Sequence, residues 1–125
     1  MIMVTLQWPH KDLSPNSRCH WSKRAKHTKI SRRAAYYETA KALEETWFAF
    51  GAEVPAGEMV SVHMAFIPPD KRRRDGHNLA SSMKGAIDGI ADALGIDDSR
   101  FLVSHELAYE THPGGIVRVI IKGMK

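Results

Sequence analysis

Residues 72–78 read RRRDGHN: three guanidinium groups, then a carboxylate, a glycine, an imidazole and a carboxamide. So much positive charge repels itself in a folded chain unless an anion screens it. Beside it stand a carboxylate and an imidazole, side chains suited to holding a metal or moving a proton. Further along, GIDDSR supplies a second acidic pair, Asp97 and Asp98. An acid before the intervening helix and acids after it are candidates to meet in space. Each residue also has a plain structural use. Asp75 before a helix interacts with the helix dipole, worth about 0.3 to 1 kcal/mol. Asp97 and Asp98 suit a turn, His77 a cap or an exposed position, and Lys84 with Asp88 a surface ion pair.

A second concentration of charge lies upstream. Arg18, Lys23, Arg24, Lys26, Lys29, Arg32, Arg33 and Lys41, together with Lys71, Arg72, Arg73 and Arg74, make twelve of the eighteen Lys and Arg residues. Two basic clusters on a chain of net charge +4 point to a polyanion partner.

The elements that must position these groups follow from periodicity. MVTLQW alternates Val4, Leu6 and Trp8 against Met3, Thr5 and Gln7, a strand ended by Pro9. PHKDLSPNSRCHW reads as a loop. From about Ser31 to Phe50 the chain is rich in helix formers, with Ala35, Thr39, Leu43, Trp47 and Phe50 at helical spacing and Gly51 suited to the end. After the turn GAEVPAGE, Val60, Val62, Met64 and Phe66 alternate in a second strand closed by Pro68 and Pro69. A helix from near Asn78 to Leu94 carries the stripe Leu79, Met83, Ile87, Ile90, Leu94 and stops at Gly95. FLVSHELAYE and GIVRVIIKG are expected to form a hairpin across THPGG. The order β-α-β-α-β-β predicts an α+β fold, a small mixed sheet of about four strands packed by two helices. The second helix is roughly 25 Å long, so Asp75 at its start meets Asp97 and Asp98 at its end only if the chain returns along a strand beside it.

Length and composition bound the class. A chain of 125 residues fits a single domain, 1–125, and 43% hydrophobic with 26% charged residues is ordinary globular usage. No apolar stretch approaches the roughly 20 residues of a membrane span, and MIMVTLQWPHK lacks the features of a secretory leader, so a soluble, cytoplasmic protein is expected. Cys19 is the sole cysteine, which excludes an intrachain disulfide and a cysteine-based zinc cluster.

The run PPDKRRRDGHNLASSMKGAIDGIADALGIDDSRF resembles the core of the RusA family of Holliday-junction resolvases: a basic run, Asp-x-Asp-Asn-Leu, a lysine with an aspartate four residues later, then Asp-Asp. LQWPHKDLSPNSRCHWSKRAKHTK is similar to that family's opening, a strand ending in Trp-Pro before a Pro-Asn-x-Arg-x-His-Trp loop. The resemblance implies a structure-selective endodeoxyribonuclease that resolves four-way junctions in DNA recombination and repair, a homodimer, bacterial or phage-encoded. It implies Asp75, Lys84 and Asp98 as catalytic residues, with Asp75, Asp98, the neighbouring Asp97 and, by position, His77 around the metal, and Asn78 as the asparagine that follows. One position departs: His77 replaces the second acid of Asp-x-Asp. Lys84 lies six residues beyond Asn78, as in many phage-type members with a longer spacer, rather than three as in the shorter prototype. The implied cofactor is Mg²⁺, but imidazole suits Mn²⁺ better, so His77 implies a preference for Mn²⁺ or a weakened, binding-only protein on branched DNA. In the loop, Asn16, Arg18, His20 and Trp21 either contact DNA or, for Trp21, anchor the loop on the core. Lys23, Arg24, Arg32, Arg33 and residues 71–74 are expected to contact phosphates, positioning rather than specifying.

Overall fold

The computed structural model describes residues 1–53 and 57–124, and of 47–53 the backbone alone. The elements are β1 (Ile2–Gln7), α1 (Trp21–Glu53), β2 (Val60–Ile67), α2 (Gly76–Ser81), α3 (Lys84–Leu94), β3 (Phe101–Leu107) and β4 (Ile116–Gly123), with short 3-10 turns at Lys11–Leu13 and Asp98–Arg100. The architecture is α+β, with the four strands in one mixed sheet ordered β1-β4-β2-β3. β4 runs antiparallel to β1 and β2, while β2 and β3 are parallel.

The expected hairpin between the last two strands does not form, because β2 lies between them. The segment 108–115 instead wraps the end of β2. Ala108 N–H donates to the Phe66 carbonyl and His112 N–H to that of Pro68, both at 2.9 Å, and the chain turns through Gly114 and Gly115 at φ 78° and 72°. Parallel pairing of β2 and β3 needs a connection of a dozen or more residues, which α2 and α3 supply.

The apolar alternation works as expected. Val60, Val62, Met64 and Phe66 are buried beside Ile2, Val4 and Leu6 of β1 and Val117, Val119 and Ile121 of β4. Met83, Ala86 and Ile90 close the core from α3, with Leu79, Ile87 and Leu94 packed at its margin. α1 adds Ala35 and Thr39; Trp47 and Phe50 of the expected stripe lie outside the described side chains, and 54–56 of the expected turn lie outside the described residues. α1 is longer than the stripe suggested. It starts at Trp21, capped by His20, whose Nδ1 accepts from Ser22 N–H at 3.2 Å, and it continues through Gly51 to Glu53. The other helix is in two pieces. Ser82 Oγ bonds back to the Asn78 carbonyl at 2.8 Å, ending α2, and α3 begins afresh at Lys84. Gly95 does end α3, at φ 66° with its N–H on the Ala91 carbonyl.

α1 and α3 pack in parallel through Gly85 and Gly89. A methyl group on Gly85 would sit 2.9 Å from the Thr28 carbonyl oxygen, and one on Gly89 would run into the Arg32 carbonyl and the Ala35 methyl. Gly89→Ala is therefore expected to lower stability by about 1 to 3 kcal/mol through overpacking, read as a lower denaturant midpoint with an unchanged slope.

Candidate functional site

Asp75 caps α2, its Oδ1 accepting from His77 N–H at 2.9 Å and Asn78 N–H at 3.3 Å. The structural use foreseen for it is thus real, and the same residue lines a groove. That groove, about 250 Å³, is lined by His10, Lys11, Arg74, Asp75 and Asn78, with Trp8 among its walls. Trp8 packs on Gly115, edge-on to Phe66, and holds the Arg74 guanidinium 5.5 Å from its ring centre. On the other side of α2, His77 meets His105 of β3, ring centres 5.6 Å apart.

The late acids are elsewhere. Asp97 and Asp98 join Asp88, Asp92 and Arg32 around an open groove of about 420 Å³ at the far end of α3. Asp97 accepts from Ser99 N–H at 2.9 Å, which holds its carboxyl below the usual range. After α3 the chain does double back along β3, which reaches α2, but β3 starts at the end where Asp98 lies. The register pairs Phe101 with Val60 and Leu107 with Phe66, and Gly76 packs on His105. Phe101 and His105 are four residues apart on an extended strand, so Asp75 and Asp98 are separated by more than about 13 Å along the sheet. One chain alone does not gather Asp75, His77, Asp97 and Asp98 around an ion. Lys84 is exposed at the start of α3, 3.9 Å from Asp88, the surface pair foreseen for it.

The basic residues divide into committed and available groups. Arg24 donates to the Ser14 and Ser17 carbonyls, pinning the loop before α1. Arg32 makes a two-pronged pair with Asp92 at 2.7 and 3.0 Å, which raises the guanidinium's pKa and holds Asp92 low. Arg74 and Arg72 both bond Asp70, whose carboxyl is held low first by the Arg72 N–H and then by Arg74. Lys26, Lys29 and Arg33 instead line an exposed strip of α1 with Trp21 and Ile30, and Lys23 is exposed on the same helix. Trp21 is 75% exposed, so it does not anchor the loop on the core. The first turn of α1 holds no acid, only Lys23 and Arg24 against the positive end of the helix dipole, an arrangement that an anion would relieve. Asn16, Arg18, Lys71 and Arg73 are exposed.

Among the described residues, the metal-type side chains that do converge are His10, Asp12 and His27, one ligand atom from each lying within 4.8 Å of the others. The sequence reading passed over them, as it did His105. Its available signal was the spacing His-x-Asp, which folding alone brings to His27.

Known family profiles give no match to the chain. An uncharacterized protein of Xylella fastidiosa strain Temecula1 is 41% identical over 122 residues, covering 96% of this chain and 76% of its own. The chain belongs to that protein's family. The relatedness extends over nearly the whole length, so it takes in the segments that carry both grooves and both basic clusters. Among the described residues no helix is long and apolar enough to cross a membrane.

Proposed function

We infer that the chain binds branched DNA and cuts it as a two-fold dimer, each active site drawing residues from both copies. The observation that carries this reading is the placement of Asp75 with His77, and of Asp98, at opposite ends of β3. That strand is at one edge of the sheet, with Leu102, Val103 and Leu107 left 47%, 45% and 42% exposed. An exposed apolar edge is a template for pairing with another strand. If two copies pair antiparallel through β3 about an axis at Val103, Phe101 stands opposite His105 of the partner subunit. Asp98 of the partner subunit then arrives where Asp75 and His77 sit. The sequence resemblance supports the same residues and a junction as substrate, whose two strands to be cut match two sites across a dyad.

In such a pair, two carboxylates and an imidazole would face one divalent ion, which supplies an activated water and neutralises the phosphate. The strip Trp21, Lys26, Lys29 and Arg33 would track the backbone, with the indole free to stack on an unpaired base. A mobile four-way junction incubated with the protein in Mg²⁺ or Mn²⁺ tests this directly. Cutting is expected in preference to linear duplex, faster with Mn²⁺, and reduced about a hundredfold or more in Asp75→Asn. His77→Asp is expected to shift the preference towards Mg²⁺. His77 also favours a second reading, a junction-binding protein that no longer cuts. Wild-type protein that binds the junction but leaves it intact in both metals selects that reading, and absence of binding removes both.

A further inference from the structure

The His10, Asp12 and His27 cluster lies where the 3-10 turn after β1 meets the second turn of α1. Asp12 Oδ2 is 3.7 Å from His10 Nδ1 and 3.6 Å from His27 Nε2. Donors held about 2.0 to 2.2 Å from a tetrahedral ion stand about 3.3 to 3.5 Å apart, close to these gaps; because an ion lies in the plane of each imidazole that holds it, one of the two rings must turn for both to reach it. The two imidazoles stack, ring centres 3.5 Å apart and planes within 9°. His10 Nδ1 accepts from the Asp12 backbone N–H at 3.1 Å, so that nitrogen is unprotonated, and an ion bound there takes the place of this hydrogen bond.

Among the described residues the carboxylate lacks a fixed counter-charge. The Asp12 side chain is only 13% exposed, and among the described residues its charged-group neighbours are the two imidazoles, with no lysine or arginine at ion-pair distance. A shielded carboxylate requires positive charge or donors beside it. We propose that His10, Asp12 and His27 bind one divalent transition-metal ion of the zinc class, with water completing its shell. Two imidazole nitrogens and one carboxylate oxygen suit Zn²⁺ or Co²⁺ and disfavour Mg²⁺ and Ca²⁺, which prefer oxygen donors. The ion ties the loop after β1 to α1, reinforcing the tie that Arg24 makes to Ser14 and Ser17. Because His10 and Lys11 also line the Asp75 groove, the ion fixes one wall of it. This site is separate from Asp75, His77 and Asp98 and stands whether or not the protein cuts DNA.

The test uses the full chain without a histidine tag, stripped by chelator and titrated with Co²⁺ by absorption and with Zn²⁺ by native mass spectrometry. Wild type is expected to take up one equivalent, with a tetrahedral Co²⁺ spectrum that excess Mg²⁺ does not displace, and Zn²⁺ should raise its melting temperature. His27→Ala and Asp12→Asn are each expected to weaken Co²⁺ binding at least about tenfold. His63→Ala, which removes an imidazole that pairs with Glu106 on β3, should bind as wild type does. Metal-free melting curves and the milder variant His10→Gln separate loss of a ligand from loss of the fold. Co²⁺ affinity unchanged in the ligand variants, or a wild-type protein with neither the spectrum nor the melting shift, overturns the proposal.

Discussion

Mixing two inactive variants is expected to restore cutting. In the dimer inferred above, Asp75→Asn and Asp98→Asn each disable both sites of a homodimer, because every site needs Asp75 from one copy and Asp98 from the other. In a mixed dimer the losses fall together. One site carries both substitutions and the other carries neither. Refolding the variants as an equal mixture makes half the dimers mixed, each with one intact site, so strand cutting should recover to about a quarter of the wild-type rate. The product should also change: one working site nicks a junction and leaves it unresolved, whereas wild type cuts both strands. Sites confined to single chains predict the opposite, because every site in the mixture would then lack one carboxylate and activity would stay at the level of the separate variants. The experiment reads out the β3 geometry through chemistry and needs no structure of the dimer.

Salt should weaken DNA binding steeply, and the structure says which residues set the steepness. If about six phosphates are neutralised per bound protein, the logarithm of affinity falls against the logarithm of salt with a slope near −5, about a thousandfold between 50 and 200 mM. Composition alone would let any of the basic residues share that role. The observed contacts divide them. Arg32 is held by Asp92, Arg24 by two loop carbonyls, and Arg74 by Asp70 and the face of Trp8. Lys26, Lys29 and Arg33 are exposed. Lys29→Ala should therefore flatten the slope by about one, while Arg32→Ala leaves it nearly unchanged. Equilibrium titrations of a labelled junction at several salt concentrations check both. A slope near zero for wild type removes DNA as the partner.

The parts of this architecture that local pattern controls were legible in the residues. Val60, Val62, Met64 and Phe66 alternate because one face of β2 is buried, and Gly95 ends α3 because a left-handed residue closes that helix. What depends on distant partners was not legible. Residues 22–34 of α1 carry no apolar stripe, since this half of the helix is largely exposed; they are helical by continuation from the buried stretch at Ala35 and Thr39. Nothing within FLVSHEL says that it will pair with β2 rather than β4; that is decided by the length of the crossover through α2 and α3. The same limit applied to the site. Asp75 as a helix cap could be read from its position, but its distance from Asp98 is a property of the β2–β3 register. His10, Asp12 and His27 become neighbours only because α1 begins earlier than its periodicity indicates.

The short helix α2 buries none of its residues and is held by the Asp75 cap at one end and by Ser82 at the other. Substitutions at His77 or Asn78 therefore leave the folded state largely indifferent to them. Side chains at these two positions can be exchanged without jeopardising abundance, so variants there report on reactivity alone. The segment is a place where chemistry can be altered while the rest of the molecule stays as it is.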